Sequence, residues 1–230
     1  MNSETVHFRI KRRLTLSGFL RANRLFINGE CIGVIKNGGA LEADIPKSNK
    51  YFIDYESGDE NGIIANCCDS YNIEIRCSGG RSEFYVVKSE SCEKLPSLSY
   101  GKYYSAIHND NLFSELTEAE KIFARALEFR EEAAEAPDAM LYSEHYSQML
   151  EAVSRIGAKK YCDVFKKVSD TLFNGISLPI TDETETDDIL KAVSKANKMV
   201  LDCEKHDNPM DELHKCLVNY VLDKITIGLE

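Results

Sequence analysis

The sequence predicts an α+β protein in two parts, an N-terminal antiparallel β-sandwich or barrel and a C-terminal acidic bundle of about five helices. Three observations carry this reading. Apolar residues recur with period two through residues 1–88, and they recur at steps of three and four from residue 116 onward. Between these regimes, residues 89–111 turn to Ser, Pro, Gly and Tyr, which reads as a linker, so the bundle is placed at 112–230.

The first strand follows from Val6, Phe8 and Ile10 alternating with His7, Arg9 and Lys11, with Leu14 and Leu16 resuming the same phase. One face would lie on a core and a basic face would point outward. Leu25-Phe26-Ile27 and Cys31 to Ile35 flank Asn28-Gly29, a strong hairpin signal because a type I′ turn needs positive φ at both central residues. A turn at Asn37-Gly38-Gly39 leads into Leu41 to Ile45, which Pro46 stops, and Tyr51 to Tyr55 forms the next strand. Ser57 to Gly62 reads as a loop, and Tyr71 to Ile75 and Glu83 to Val87 complete six or seven strands.

The stretch from Arg24 to Glu56 carries Phe26-Ile27-Asn28-Gly29-Glu30-Cys31-Ile32-Gly33, then Leu41 to Pro46, then Tyr51-Phe52-Ile53. This order resembles the repeat core of PEGA-type and related small extracytoplasmic β-sandwich domains, although the Pro-x-Gly-Ala that names that family is missing here. The resemblance implies a binding or spacer module with no catalytic site.

The helical half opens at Ser114 or Thr117, where Thr117 to Glu120 has capping-box spacing, and Pro137 breaks the first helix. A second helix from Asp138 carries Tyr142, Tyr146, Met149, Val153 and Ile156, and Gly157 closes it. Tyr161, Phe165, Val168 and Leu172 mark the third, closed by Asn174-Gly175. Ile189, Val193, Ala196, Val200 and Cys203 mark the fourth. Asn208 and Pro209 start the fifth, whose buried face is Leu213, Leu217, Tyr220, Val221 and Ile225.

Composition limits the functional classes. No run is long and apolar enough for a membrane span, and Met1 to Ile10 lacks the apolar core of a secretory signal, so a cytoplasmic protein is expected. The eight cysteines show no Cys-x-x-Cys pair or finger spacing, and reduced thiols packed as small apolar residues are expected. Charge is uneven. Residues 1–50 hold nine Lys/Arg against four Asp/Glu, a balance of +5, while residues 51–230 hold nineteen against thirty-four, a balance of −15. Such asymmetry suggests distinct surroundings or a charge-complementary contact between the halves.

No motif forces a reaction. The acidic run Asp182 to Asp188 suits the first turn of a helix. His206, Asp207, Asp211 and His214 form the most ligand-like group, but a helix start at Asn208-Pro209 would separate the first pair from the second. Neither a metal nor a cofactor is expected. The feature with reach is the basic side of the first strand, His7, Arg9, Lys11 and Arg13, joined by Arg21 and Arg24. A stripe of this kind suits an acidic protein surface or phosphates. The leading expectation is a non-enzymatic protein-interaction or scaffold protein with a protein partner. Nucleic-acid binding through the stripe is the alternative, and a metal-dependent hydrolase in the bundle is the second.

Overall fold

The computed structural model describes residues 4–15, 22–55, 60–65, 68–78, 81–89, 91–174 and 176–225. The chain divides into two compact units, Met1–Lys102 with Leu222–Glu230, and Tyr103–Val221.

The first unit is built on ten strands among the described residues: β1 (Thr5–Arg12), β2 (Ala22–Ile27), β3 (Glu30–Lys36), β4 (Ala40–Pro46), β5 (Lys50–Tyr55), β6 (Glu60–Ala65), β7 (Ser70–Ser78), β8 (Arg81–Val87), β9 (Cys92–Lys94) and β10 (Ser97–Ser99). They form two five-stranded sheets, ordered β4-β1-β7-β8-β9 and β10-β6-β5-β2-β3. The inward faces share one core in which Val6, Phe8 and Ile10 of β1 meet Leu25, Ile27, Tyr51, Ile53 and Tyr55 of the opposite sheet. Phe8 packs edge-on to Tyr51 with ring centres 4.9 Å apart. Both sheets keep open edges, so the barrel alternative does not hold. Nor is the unit purely antiparallel. β1 pairs antiparallel with β4 but parallel with β7, because the intervening chain crosses to the other sheet for β5 and β6 before it returns.

The Asn28-Gly29 turn forms as its residues demand, with φ of 51° and 76°. Other expectations need correction. Arg12, at 3% exposure, occupies the inward position after Ile10, with its guanidinium carbon 5.5 Å from the centre of the Tyr55 ring. Leu14 lies beyond the strand and is 66% exposed, so the apolar phase stops at Ile10. Leu16 lies outside the described residues. Of the loop expected at 57–62, residues 57–59 lie outside the described residues and Glu60 to Gly62 belong to β6. There Gly62 is required by close approach, since a Cβ would sit 2.8 Å from Phe84 Cβ. The described residues of 89–111 hold β9, β10, α1 (Tyr100–Ile107) and the start of α2 (Asp110–Ser114) rather than an irregular linker.

Seven α-helices occur among the described residues: α1 (Tyr100–Ile107), α2 (Asp110–Ser114), α3 (Glu118–Glu135), α4 (Tyr146–Ile156), α5 (Lys159–Leu172), α6 (Asp187–Asp207) and α7 (Pro209–Lys224). The count exceeds five because α1 forms within the Ser- and Tyr-rich stretch and α2 across its end. Thr117 caps α3 in a complete capping box with Glu120, while Ser114 closes α2. The helix expected from Asp138 is divided into a short 3-10 turn (Ala139–Tyr142) and α4, which Gly157 ends at φ 91°. Phe173, rather than Asn174-Gly175, caps the end of α5, and Gly175 lies outside the described residues. The second unit's core joins Phe129 of α3 to Tyr161 and Phe165 of α5, with ring centres 5.1 and 5.5 Å apart.

No helix among the described residues is long and apolar enough to cross a membrane.

Candidate interaction surface

Alternation along β1 sends His7, Arg9 and Lys11 to the outer face of the first sheet, and Arg13 is exposed just beyond the strand. The strand register decides what they meet. His7 stands opposite Asp44 of β4, Arg9 opposite Glu42, and Lys11 is level with Glu74 of β7. His7 Nδ1 lies 2.9 Å from Asp44 Oδ1, and Arg9 Nε lies 3.4 Å from Glu42 Oε1. Exposed pairs of this kind contribute little stability, about 0–1 kcal/mol each. Their effect is on the surface field, because carboxylates on the next strand oppose the stripe's charge.

Arg24 does not join this stripe. It is exposed on β2 between buried Asn23 and Leu25, so it points outward from the other sheet, with its guanidinium carbon 5.5 Å from the centre of the Phe26 ring. Arg21 lies outside the described residues.

A denser polar cluster lies further across the first sheet, and sequence reasoning missed it. Arg76 Nε meets Glu74 Oε1 at 2.5 Å, and its guanidinium carbon sits 4.0 Å from the centre of the Tyr85 ring. Arg76 Nη2 also lies 3.1 Å from Cys92 Sγ, and Tyr85 donates to Glu83 Oε2 at 2.8 Å. Lys94 closes the row on Glu83 at 2.5 Å. The hydrogen bonds from Lys94 and Tyr85 hold the Glu83 carboxyl below its ordinary value. The signal was period two in β7 and β8. Their cross-strand register, which brings Arg76 opposite Glu83 and Glu74 opposite Tyr85, is not legible in one sequence.

The sheet edges differ from one another. β9 and β10 are three residues long, and β4 carries Glu42, Asp44 and the terminating Pro46. Short length, charge, proline and bulges are among the means by which edges resist pairing with another chain, and β3 carries a shift in its pairing with β2 at Gly33, φ 147°. At the fourth edge β3 runs Cys31-Ile32-Gly33-Val34-Ile35 without a charge or proline, between Glu30 and Lys36. Val34 is 53% exposed and Cys31 is exposed. The turn after β3 is held in place: Thr15 N donates to Asn37 Oδ1 at 3.1 Å, and Asn37 Nδ2 donates to Thr15 O at 2.7 Å. That clamp sets Leu14 against Gly38, where a Cβ would lie 3.2 Å from Leu14 Cδ1.

In the helical unit the ligand-like group is divided at Asn208 into its first and second pairs. His206 and Asp207 form the last turn of α6, Asn208 closes that helix at φ 46°, and Asp211 and His214 lie on α7. Of the acidic run, only Asp187 and Asp188 occupy the first turn of α6, which Thr186 caps. A groove of about 630 Å³ runs between α5 and α6, lined by Lys160, Lys167, Asp163, Asp202, Cys203 and His206 among others. Glu212 of α7 reaches the start of α5 and accepts from Lys160 N at 2.8 Å, supplying the cap that Ala158 cannot. Among the described residues, no group of three or more His, Cys, Asp or Glu is placed to hold a metal ion.

The seven described cysteines are free, and none is fully buried. Cys31, Cys68 and Cys92 are exposed, and the others are half-buried. Of the thiols expected to pack as small apolar residues, Cys77 packs against the sandwich core, whereas Cys31, Cys68 and Cys92 are exposed. Burial raises the Cys162, Cys203 and Cys216 thiols above their ordinary value, and a neighbouring carboxylate adds to each. Such thiols are poor nucleophiles.

No family model, curated protein or solved structure matches this chain.

Proposed function

We propose that the chain is a protein-interaction or scaffold module whose β unit receives a partner along the β3 edge. The observation that carries this reading is the uncharged run Cys31 to Ile35 of β3 at the end of its sheet, with Val34 half exposed. An edge strand is a template onto which an extended segment adds by main-chain hydrogen bonds, with alternate side chains giving selectivity. The PEGA-like order of residues 24–56 leads to the same class of activity, a binding or spacer module. The carboxylates beside His7 and Arg9 favour this reading over phosphate recognition, because counterion release requires cations that are not already paired.

The test is affinity capture with the full chain after nuclease treatment, at low and high salt, comparing wild type with Val34→Lys. Lysine at an edge disfavours strand addition while leaving the side chain in solvent. The expected result is a partner retained at high salt by wild type and lost by Val34→Lys, with unchanged circular dichroism and melting. Equal capture by both proteins, or recovery of nucleic acid alone, would overturn the proposal.

A further inference from the structure

Between β9 and β10 the chain leaves the first sheet for the second through Leu95 and Pro96. Leu95 N donates to Phe84 O of β8, and Ile63 N of β6 donates to Pro96 O, each at 2.8 Å. The crossover thus ties β8 to β6 and sets the spacing of the two sheets along that side. Pro96 offers only its carbonyl, having no N–H to satisfy.

Beside this crossover lies a cavity of about 330 Å³. Ile64 of β6, Tyr71 of β7, Val86 of β8 and Leu95 form its apolar lining, so both sheets contribute. Ile64, Tyr71 and Leu95 are each at most 7% exposed, and Val86 is half-buried against the same core. Tyr71 is fixed twice. Its ring stacks on Phe8 with centres 5.2 Å apart, and its hydroxyl accepts from Cys68 N at 3.2 Å. A wall held in this way keeps its shape without a ligand, as small-molecule sites mostly do. The volume is roughly twice the ~150 Å³ that admits benzene, and it falls in the lower part of the ~300–1,000 Å³ range of ligand pockets.

The rim is charged but neutralised. Lys88 Nζ lies 2.9 Å from Glu93 Oε2, and Lys94 Nζ lies 2.5 Å from Glu83 Oε1. An ionic ligand would have to break one of these pairs and give up hydration as it entered apolar surroundings. Ser70 and Asn72, both exposed, add a hydroxyl and an amide to the rim, and each can donate and accept.

We propose that this cavity binds a small uncharged molecule with an apolar body and one hydroxyl end. The body lies against Ile64, Tyr71, Val86 and Leu95, and the hydroxyl meets Ser70 or Asn72 at the mouth. The site does not involve β3, so it is independent of strand docking at that edge.

The experiment is a titration of the full chain with butanol, pentanol and hexanol, followed by NMR of the backbone amides. Saturable shifts are expected at Ile64, Tyr71, Val86 and Leu95, with affinity rising about fourfold per added methylene. Hexanoate, of the same length but carrying a carboxylate, binds more weakly than hexanol. The variant Ser70→Ala/Asn72→Ala leaves the core untouched and weakens hexanol binding about fivefold, the worth of one hydrogen bond. Val86→Phe fills the cavity and abolishes the saturable shifts, with circular dichroism as a check on folding. No saturable shift at these amides, hexanoate binding as tightly as hexanol, or hexanol affinity unchanged in either folded variant overturns the proposal.

Discussion

Arg125→Met tests whether the buried ion pair on α3 holds the helical unit together. The substitution keeps an unbranched apolar stem and removes three hydrogen-bonding contacts, to Glu128 at 2.6 Å, Gln148 at 3.0 Å and His145 at 2.9 Å, together with the guanidinium over Phe113. Glu128 stays buried with His145 as its remaining close partner. Removing one member of a buried pair costs about 3–5 kcal/mol, and the surviving imidazole contact places this case near ~3 kcal/mol. Unfolding entropy is about 2.1 cal/mol/K per residue. For the unit Tyr103–Val221 that converts to a fall in melting temperature of about 12 °C. The assay is thermal melting by circular dichroism at the helical band. The double variant Arg125→Met/Glu128→Met removes both charges and is expected to recover most of the loss, since apolar replacements of a buried pair are often neutral or better. A single variant that melts within about 2 °C of wild type would refute the claim that this pair is structurally required.

Gly62→Ala places a Cβ 2.8 Å from Phe84. It should destabilise the β unit by about 1–3 kcal/mol, read as a lower urea midpoint with an unchanged slope. Glu212→Ala removes the acceptor for Lys160 N at the start of α5 and should cost about 1 kcal/mol, measured by urea unfolding, with Glu212→Gln close to wild type. Alkylation near neutral pH, followed by peptide mapping, should modify exposed Cys31 and Cys92 well before Cys162, Cys203 and Cys216, whose thiols are raised by burial. The delay should shrink as pH rises.

What the sequence revealed was whatever its neighbours in the chain decide. The Asn28-Gly29 turn, the Thr117 capping box and the stop at Gly157 each depend on a few adjacent residues, and each forms. β6 escaped because both of its faces are buried and Asn61-Gly62 imitates a turn, so no alternation marks it. β9 and β10 are too short to show a period. The Arg125–Glu128 pair had a signal that went unread. Phe123, Ala124, Ala126, Leu127 and Phe129 leave no polar side to that part of α3, so any charge within it must be buried and paired.

Charge in the β unit was legible in amount but not in arrangement. The excess of Lys and Arg in residues 1–50 suggested that β1 was the functional face, because its cations fall on one side of the strand. The register changes that inference. Glu42 and Asp44 alternate on β4 in the phase that sets them opposite Arg9 and His7, so the basic side of one strand is answered within its own sheet. A slip of one residue would turn those carboxylates to the other face and leave the stripe unopposed. The ordering of β1 against β4 therefore weakens the case for β1 as a contact surface. It leaves β3, whose middle carries no charge to repel a neighbouring strand, as the edge best suited to a partner.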